Sequence, residues 1–378
     1  MQRDVVIVGG GVIGLSVAYV LSREGVRVTL LDRQEFGREA SWAGAGLIAP
    51  ISEHPPAQPF ETLRAWSARL FPDWSEALRT ESGVDNGFRR CGGVDVAWTL
   101  AEENELKTSA GRWRSEGIVF ERLAPGDYVR VEPALNPEIK VVYYLPDRAQ
   151  IRNPWHVRAL VETLRRRGLD LQPNQRVLRF AIENGKLKGV ETEQGVIEAG
   201  TVVVTAGAWS SELLETAGLR VPTPPFKGQI VLLRARPGLL KRVVEHGRMY
   251  LVPREDGRIL IGATEEEVGF DTRPTSRGVR SLLDEAILLC PALADAEVER
   301  SWAGLRPGSL DSRPYLGASE RYPNLIVATG HKRAGIQLSP ASAEAIGDLV
   351  LGRSSRIDMS LFRLEREPAQ GGEDLFRS

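Results

Sequence analysis

Thiols, imidazoles and long apolar spans are scarce in these 378 residues, and each scarcity closes off a class of function. There are two cysteines, Cys91 and Cys290, with no C-x-x-C pair, so neither a disulfide framework nor a zinc cluster is expected. Each thiol reads as a small buried hydrophobe in a reducing, cytoplasmic setting. The histidines, His54, His156, His246 and His331, stand apart without the H-E-x-x-H spacing, so no metal site is expected. Charge is balanced, 49 Lys and Arg against 50 Asp and Glu. No basic stripe interleaved with aromatics points to nucleic acid, and no internal repeat or low-complexity tract is visible. At this length two domains are the prior.

One uncharged run, Val5 to Leu21, invites a membrane or secretory reading. A membrane span needs about 20 apolar residues. Here Gly9, Gly10 and Gly11 interrupt the run, and each glycine costs roughly 1 kcal/mol inside a helix. A secretory signal would also need a basic leading region and a small-residue cleavage site, and the flank offers only Arg3 beside Asp4. Read instead as strand, turn and helix, the run is consistent throughout. Asp4–Val8 suits a buried parallel strand, Gly9, Gly11 and Gly14 form G-x-G-x-x-G, and a helical pattern continues to Leu21. A second apolar run, Val26–Leu31, ends in Asp32, 18 residues beyond Gly14. The first glycine permits the turn, the second lets backbone approach a pyrophosphate, and the third allows close helix–strand packing. The phosphates then rest on the helix N-terminus, and the acid accepts from a ribose hydroxyl. The stretch reads as a dinucleotide site.

Downstream, a Gly/Ala-rich loop, Ala40–Leu47, leads into a proline-rich link from His54 to Pro59 and a helix to about Gly83. Short strands surround a charged helix at about 101–117, and Pro154–Arg167 reads as a helix with proline in its first turn. Strands are expected at Gln175–Ile182, after a Glu183-Asn-Gly-Lys186 turn up to Glu191, and at Thr201–Thr205. Strand patterns dominate 222–322, with a hairpin signal at Glu255-Asp-Gly257. The strand Asn324–Ala328 then breaks at Thr329-Gly-His331 before a helix from about Gly335 to Leu351. The expected fold is α/β, a Rossmann-type dinucleotide domain with a second mixed α+β domain on an antiparallel-rich sheet. The chain visits the first domain three times (1–85, 148–221, 323–365) and the second twice (86–147, 222–322), leaving 366–378 as a frayed tail. The glycine-rich returns at Gly207 and Gly330 are extra backbone surfaces. They favour a large resident cofactor such as FAD over a nicotinamide that comes and goes.

GGGVIG, ASWAGAGLIAP, VVVTAGAWS, MYLVPREDGRILIGATEEEVGF, WAGLRPGSLDSRPYLG and IVATGHKRAGIQLSPAS, in this order, resemble the FAD-dependent glycine oxidases of the D-amino-acid oxidase superfamily. The motifs run from Val5 to Leu351. The resemblance implies FAD contacts at Val12 and Ile13, at Asp32 with Arg33, and along Ala40, Ser41, Ala45, Gly46 and Leu47. It places Val177 on the adenine side and His331, Lys332, Arg333, Ala334, Gly335, Ile336 and Gln337 around the isoalloxazine. Relatives that attach FAD covalently use a cysteine; none lies between Leu305 and Gly317, so non-covalent FAD is expected. Arg306 in GLRPG, Arg333 in GHKRAG and Tyr250 in MYLVPR match the substrate residues of the family. The resemblance further implies molecular oxygen as acceptor, a homo-oligomer and a link to thiamine biosynthesis.

The chemistry asks little else of the chain. In oxidation of an amino acid to the imino acid the flavin takes the electron pair, and the protein supplies position and charge. No Ser-His-Asp or Cys-His set is present or needed. A guanidinium fork binds the carboxylate, each charge-assisted bond contributing roughly 1.5–3 kcal/mol. His331 reads as a structural or flavin-edge hydrogen bonder rather than an acid–base, and Trp209 and Trp302 as packing. Departures from the family stand at Lys332 (usually aromatic), Ala334 (usually asparagine), Ala343 (usually glycine) and Glu265 (apolar in relatives). Lys332 and Glu265 alter pocket charge, which counts against glycine itself as substrate and opens the site to a bulkier or cationic D-amino acid or an N-substituted glycine. The expected activity is oxidation of glycine, sarcosine or small D-amino acids to the 2-oxo acid, ammonia and hydrogen peroxide. The rivals are a dehydrogenase passing electrons to a quinone or protein, a 2-hydroxy-acid oxidiser with His331 as base, and a non-catalytic flavin subunit. Loss of the two arginines would mark the last of these.

Overall fold

The computed structural model describes residues 4–54 and 58–367. Residues 55–57 of the proline-rich link and 368–378 of the expected tail lie outside the described residues. Arg366, assigned to that tail, is instead anchored: its guanidinium holds Asp311 at 2.7 Å.

Asp4–Val8 is a strand in the middle of a six-stranded sheet. The spatial order is Tyr315–Ala318, Leu325–Thr329, Thr201–Val204, Asp4–Val8, Arg27–Leu31 and Asp170–Gln172. All neighbours run parallel except the first pair. Its strands read as continuous apolar runs because helices cover both faces. The helices Val12–Arg23, Pro59–Ser82, Asn153–Arg166 and Gly335–Leu351 bury Leu15, Leu63, Leu160 and Ile346 in one core with Ile7 and Leu30. Gly83 closes the second helix in the left-handed conformation, φ 74°, as glycine does after a helix. Parallel strands share one direction, so Val8, Leu31, Val204 and Thr329 end at one edge. The turns Gly9, Asp32, Thr205 and His331 gather there, the place where open α/β sheets bind ligands.

The second sheet has eight strands, in the order Glu297–Pro307, Pro225–Arg234, Arg258–Gly262, Met249–Pro253, Val243–His246, Gly93–Ala97, Val141–Leu145 and Glu121–Leu123. One pair, Val243–His246 with Gly93–Ala97, is parallel. Alternation sends Val231, Val244, Leu251 and Ile261 to one face, against a helix at Ser276–Leu289. This helix lies within 222–322, where strand patterns dominate the sequence and no helix is expected. Thr275 caps it, accepting from the Gly278 amide at 3.1 Å, and its leucines pack on the sheet. The Glu255-Asp-Gly257 hairpin and the Asn184-Gly185 turn form as expected, the latter with φ of 50° and 73°. Tyr315–Ala318 joins the first sheet rather than the second, eight residues ahead of the return placed at 323.

Candidate active site

A cavity of about 520 Å³ runs from the parallel-strand edge of the first sheet to the inner face of the second. Of the residues assigned to the site from sequence, all but three lie on its wall; Gly14, Gly330 and Ala334 sit behind it.

At the dinucleotide end the wall is mostly backbone. Gly9 has φ 110°, and a Cβ there would stand 2.5 Å from the Thr205 carbonyl oxygen. A Cβ on Gly14 would stand 2.0 Å from the Gly9 carbonyl oxygen, so Gly14 serves the turn from behind. The helix beginning at Val12 has Gly11 as N-cap, without a side-chain cap, and no acid in its first turn. Its first amide, Val12, donates to Ser41 Oγ at 2.9 Å. That end is an anion cradle of the kind a pyrophosphate fits. Asp32 Oδ2 accepts from the Gly10 amide at 2.7 Å and Oδ1 from Gln34 at 3.0 Å. Burial raises its carboxyl above the ordinary value, the two amides opposing. It remains on the cavity wall with lone pairs to spare, as a ribose partner requires. The residues present therefore fit a dinucleotide.

At the other end the wall is made of side chains. Tyr250 and Arg306 come from different strands of the eight-stranded sheet and hydrogen-bond to each other. Arg306 Nη1 also donates to the Thr264 carbonyl at 3.0 Å. Two glycines form the floor: a Cβ on Gly262 would stand 2.6 Å from Tyr250 Oη, and one on Gly228 would stand 2.4 Å from Arg306 Nη2. Withdrawal from water lowers the Arg306 pKa and raises that of Tyr250, and Arg333 pushes Arg306 further down. Arg333 follows the strand Leu325–Thr329 of the first sheet, so Tyr250, Arg306 and Arg333 converge on the cavity from both sheets. Arg333 Nε donates to Glu265 Oε2 at 2.9 Å. Burial alone would raise the Glu265 carboxyl, but Arg333, Lys332 and Arg306 outweigh it and hold it below the ordinary value.

His331 is buried and its Nε2 lies 3.1 Å from Ser342 Oγ. Desolvation pushes its pKa down to about 3, so the ring is neutral and a poor base. Trp302 donates from Nε1 to the Ala43 carbonyl at 3.0 Å, and Arg33 stacks 3.7 Å over the Trp209 ring, consistent with packing roles. Neither cysteine lies on the wall. Among the described residues there is no group of side chains that could hold a metal, and no helix is long and apolar enough to cross a membrane.

Sequence reasoning passed over Gly228, Gly262 and Arg254. Arg254 is buried; its Nη1 donates to the Ile151 carbonyl at 2.9 Å and to Gln150 Oε1, and its Nη2 donates to the Ala45 carbonyl at 2.8 Å. It ties the Ala45–Leu47 loop to the second sheet, and burial lowers its pKa to about 9. The only signal was its place before the hairpin, in MYLVPR.

Residues 4–349 match the family model of DAO, FAD dependent oxidoreductase. The glycine oxidase of Pseudomonas putida is 37% identical over 360 residues, covering 95% of this chain and 97% of that protein. The bifunctional protein ThiO/ThiG of a Nostoc species is 34% identical over 374 residues, covering 98% of this chain and 56% of that protein. The crystal structure of glycine oxidase from Geobacillus kaustophilus superposes with a TM-score of 0.92 at 33% identity, over 97% of this chain and 100% of that one. With a dinucleotide cradle at one end of the cavity, and with a family match that spans both sheets, the chain belongs to the DAO family of FAD-dependent oxidoreductases.

Proposed function

We propose that this protein oxidises glycine, sarcosine or small D-amino acids at the Cα–N bond, using non-covalently held FAD and molecular oxygen. The observation that carries the reading is the convergence of Arg306, Tyr250 and Arg333 on the cavity whose far end is the dinucleotide cradle. Names of relatives support it: glycine oxidases in three bacterial genera, and ThiO/ThiG proteins that point to thiamine biosynthesis. Gly9, Gly11, Val12, Ile13, Asp32, Arg33, Ala40, Ser41 and Ala45–Leu47 would hold the nucleotide and pyrophosphate, with Val177 and Gly207 beside the adenosine. His331–Gln337 would flank the ring.

When bound, FAD supplies a two-electron acceptor for the Cα–H bond of the amino acid. Arg306 would take the substrate carboxylate through its fork, with the Tyr250 hydroxyl donating to the same group. Gly228 and Gly262 let the guanidinium and phenol lie flat, so the carboxylate approaches without displacing backbone. Fixing it at two donors orients Cα, the entropic part of catalysis. Enclosure strengthens both contacts by excluding water. The imino acid leaves to hydrolyse to the 2-oxo acid and ammonia, or to the 2-oxo acid and methylamine when the substrate is sarcosine. A neutral His331 with a pKa of about 3 speaks against an alcohol substrate, which would need a strong base. The protein would work in the cytoplasm as a homo-oligomer.

The test is oxygen uptake by the purified holoenzyme with each candidate amino acid. Equimolar peroxide and 2-oxo acid are expected. Substrate-dependent flavin reduction that air reverses only slowly would replace the oxidase with a dehydrogenase, and no reduction by any amine would overturn the reading.

A further inference from the structure

Glu265 and Lys332 are far apart in the chain and meet at the cavity wall. The Lys332 ammonium stands 3.8 Å from the Glu265 carboxylate. Arg333 and Arg248 close on the same carboxylate at 2.9 and 3.3 Å. Among the described residues, none of the three cations has another carboxylate at ion-pair distance. At this point one carboxylate thus faces three cations, of which Arg248 is half exposed; Glu245 is a further carboxylate on the wall, on the Tyr250 side. Lys332 is not a freely solvated surface lysine: its side chain is 11% exposed, and its ammonium lies 4.8 Å from the centre of the Phe226 ring. Arg333 Nη2 is shielded from water and has no hydrogen-bond acceptor among the described residues. A shielded donor without a partner bears its full desolvation cost, so the arrangement is completed by an acceptor in the cavity.

The geometry points to an anion subsite beside the α-carboxylate clamp. Its substrates carry a second acidic group, on nitrogen or on the side chain, received by Arg333, Lys332 and Arg248. Glu265 is the positioning residue: it fixes Arg333 through Nε and holds three mutually repelling cations around one point. The inference rests on the amino-acid-oxidising reading above, and the chemistry is unchanged. With N-carboxymethylglycine, the Cα–H and N–H bonds break and C=N forms. Water then cleaves it to glyoxylate and glycine, while the electron pair leaves by the same flavin to oxygen.

The experiment compares kcat/KM of the holoenzyme in matched pairs, N-carboxymethylglycine against N-methylglycine and D-aspartate against D-alanine. It also compares malonate with propionate as ligands, read from the perturbed flavin spectrum without turnover. The acidic member of at least one substrate pair is expected to be preferred by about tenfold, the factor a charge-assisted contact supplies, and malonate to bind more tightly by a similar factor. Which pair responds tells whether the second acid is carried on nitrogen or on carbon. In Lys332→Met the preference shrinks towards unity. In Glu265→Gln, which keeps shape but loses the charge that gathers Arg333, Lys332 and Arg248, the preference falls; a merely structural role would lower both members together and leave the ratio fixed. Ratios near unity in the wild type, or ratios unmoved by both substitutions, would overturn the subsite while glycine oxidation stood. If no amino acid were oxidised, the functional reading would fall, and malonate against propionate alone would decide the subsite.

Discussion

At the dinucleotide end of the cavity the working surface is backbone: Gly9, Gly11 and the open first turn at Val12 present amides, and Asp32 is the single acid built into the turn. At the substrate end it is side chains, Arg306, Tyr250, Arg333, Lys332 and Glu265, resting on two glycines. Gly9 and Gly14 leave no room for an added atom in the first surface, and Gly228 and Gly262 leave none beneath the charged side chains of the second. Of the four positions where the sequence reads as departing from the glycine-oxidase pattern, Lys332 and Glu265 line the cavity, while Ala334 and Ala343 are buried behind it.

The sharpest way to break this comparison is at Gly9. Gly9→Ala puts a Cβ 2.5 Å from the Thr205 carbonyl oxygen at φ 110° and is expected to cost about 3 kcal/mol or more, through strain and overpacking. The protein would purify depleted of FAD, as its absorbance spectrum would report. Gly207→Ala is the contrast. With φ 56° and nothing within 4 Å of the added Cβ, it should lose only about 1 kcal/mol and keep its flavin. At the substrate end, Arg306→Met should retain FAD yet lose about 2–5 kcal/mol in kcat/KM, since the carboxylate loses its partner in a desolvated site. Tyr250→Phe removes one donor and should lower kcat/KM by about 0.5–1.5 kcal/mol.

The smallest effect concerns the charged strand beside the pocket. Glu285 raises the His246 pKa above the ordinary 6.5, against burial and with help from Glu102. Its stabilisation is therefore full below about 6.5 and is lost as pH rises through the folded value. His246→Gln should remove roughly 0.5–1 kcal/mol at the acid side and leave the alkaline side unchanged, as melting temperatures across the range would show.

What was legible in the chain was local. The strand–turn–helix at Asp4–Leu21 and the acid at Asp32 are fixed by neighbours a few residues away, so periodicity and glycine spacing suffice. The helix Ser276–Leu289 was not legible, because Gly278 blurs its first turn and strand-like segments flank it on both sides. Nor were the contacts of the substrate end. That Gly262 lies beneath Tyr250 depends on the register of two adjacent strands. That Glu265 meets Lys332 depends on how the two sheets face each other. Arg306, Arg333 and Tyr250 were found through resemblance, not spacing, since arginine is common in this chain and a carboxylate clamp has no periodic signature.

The most direct measurement is anaerobic mixing of glycine with the wild-type and Arg306→Met holoenzymes while following the visible flavin absorbance. The account predicts rapid bleaching in the wild type and bleaching slowed by a factor on the order of 30 or more in the variant, with FAD still bound. Equal rates in the two proteins would contradict it, because the substrate carboxylate would then be held somewhere other than Arg306.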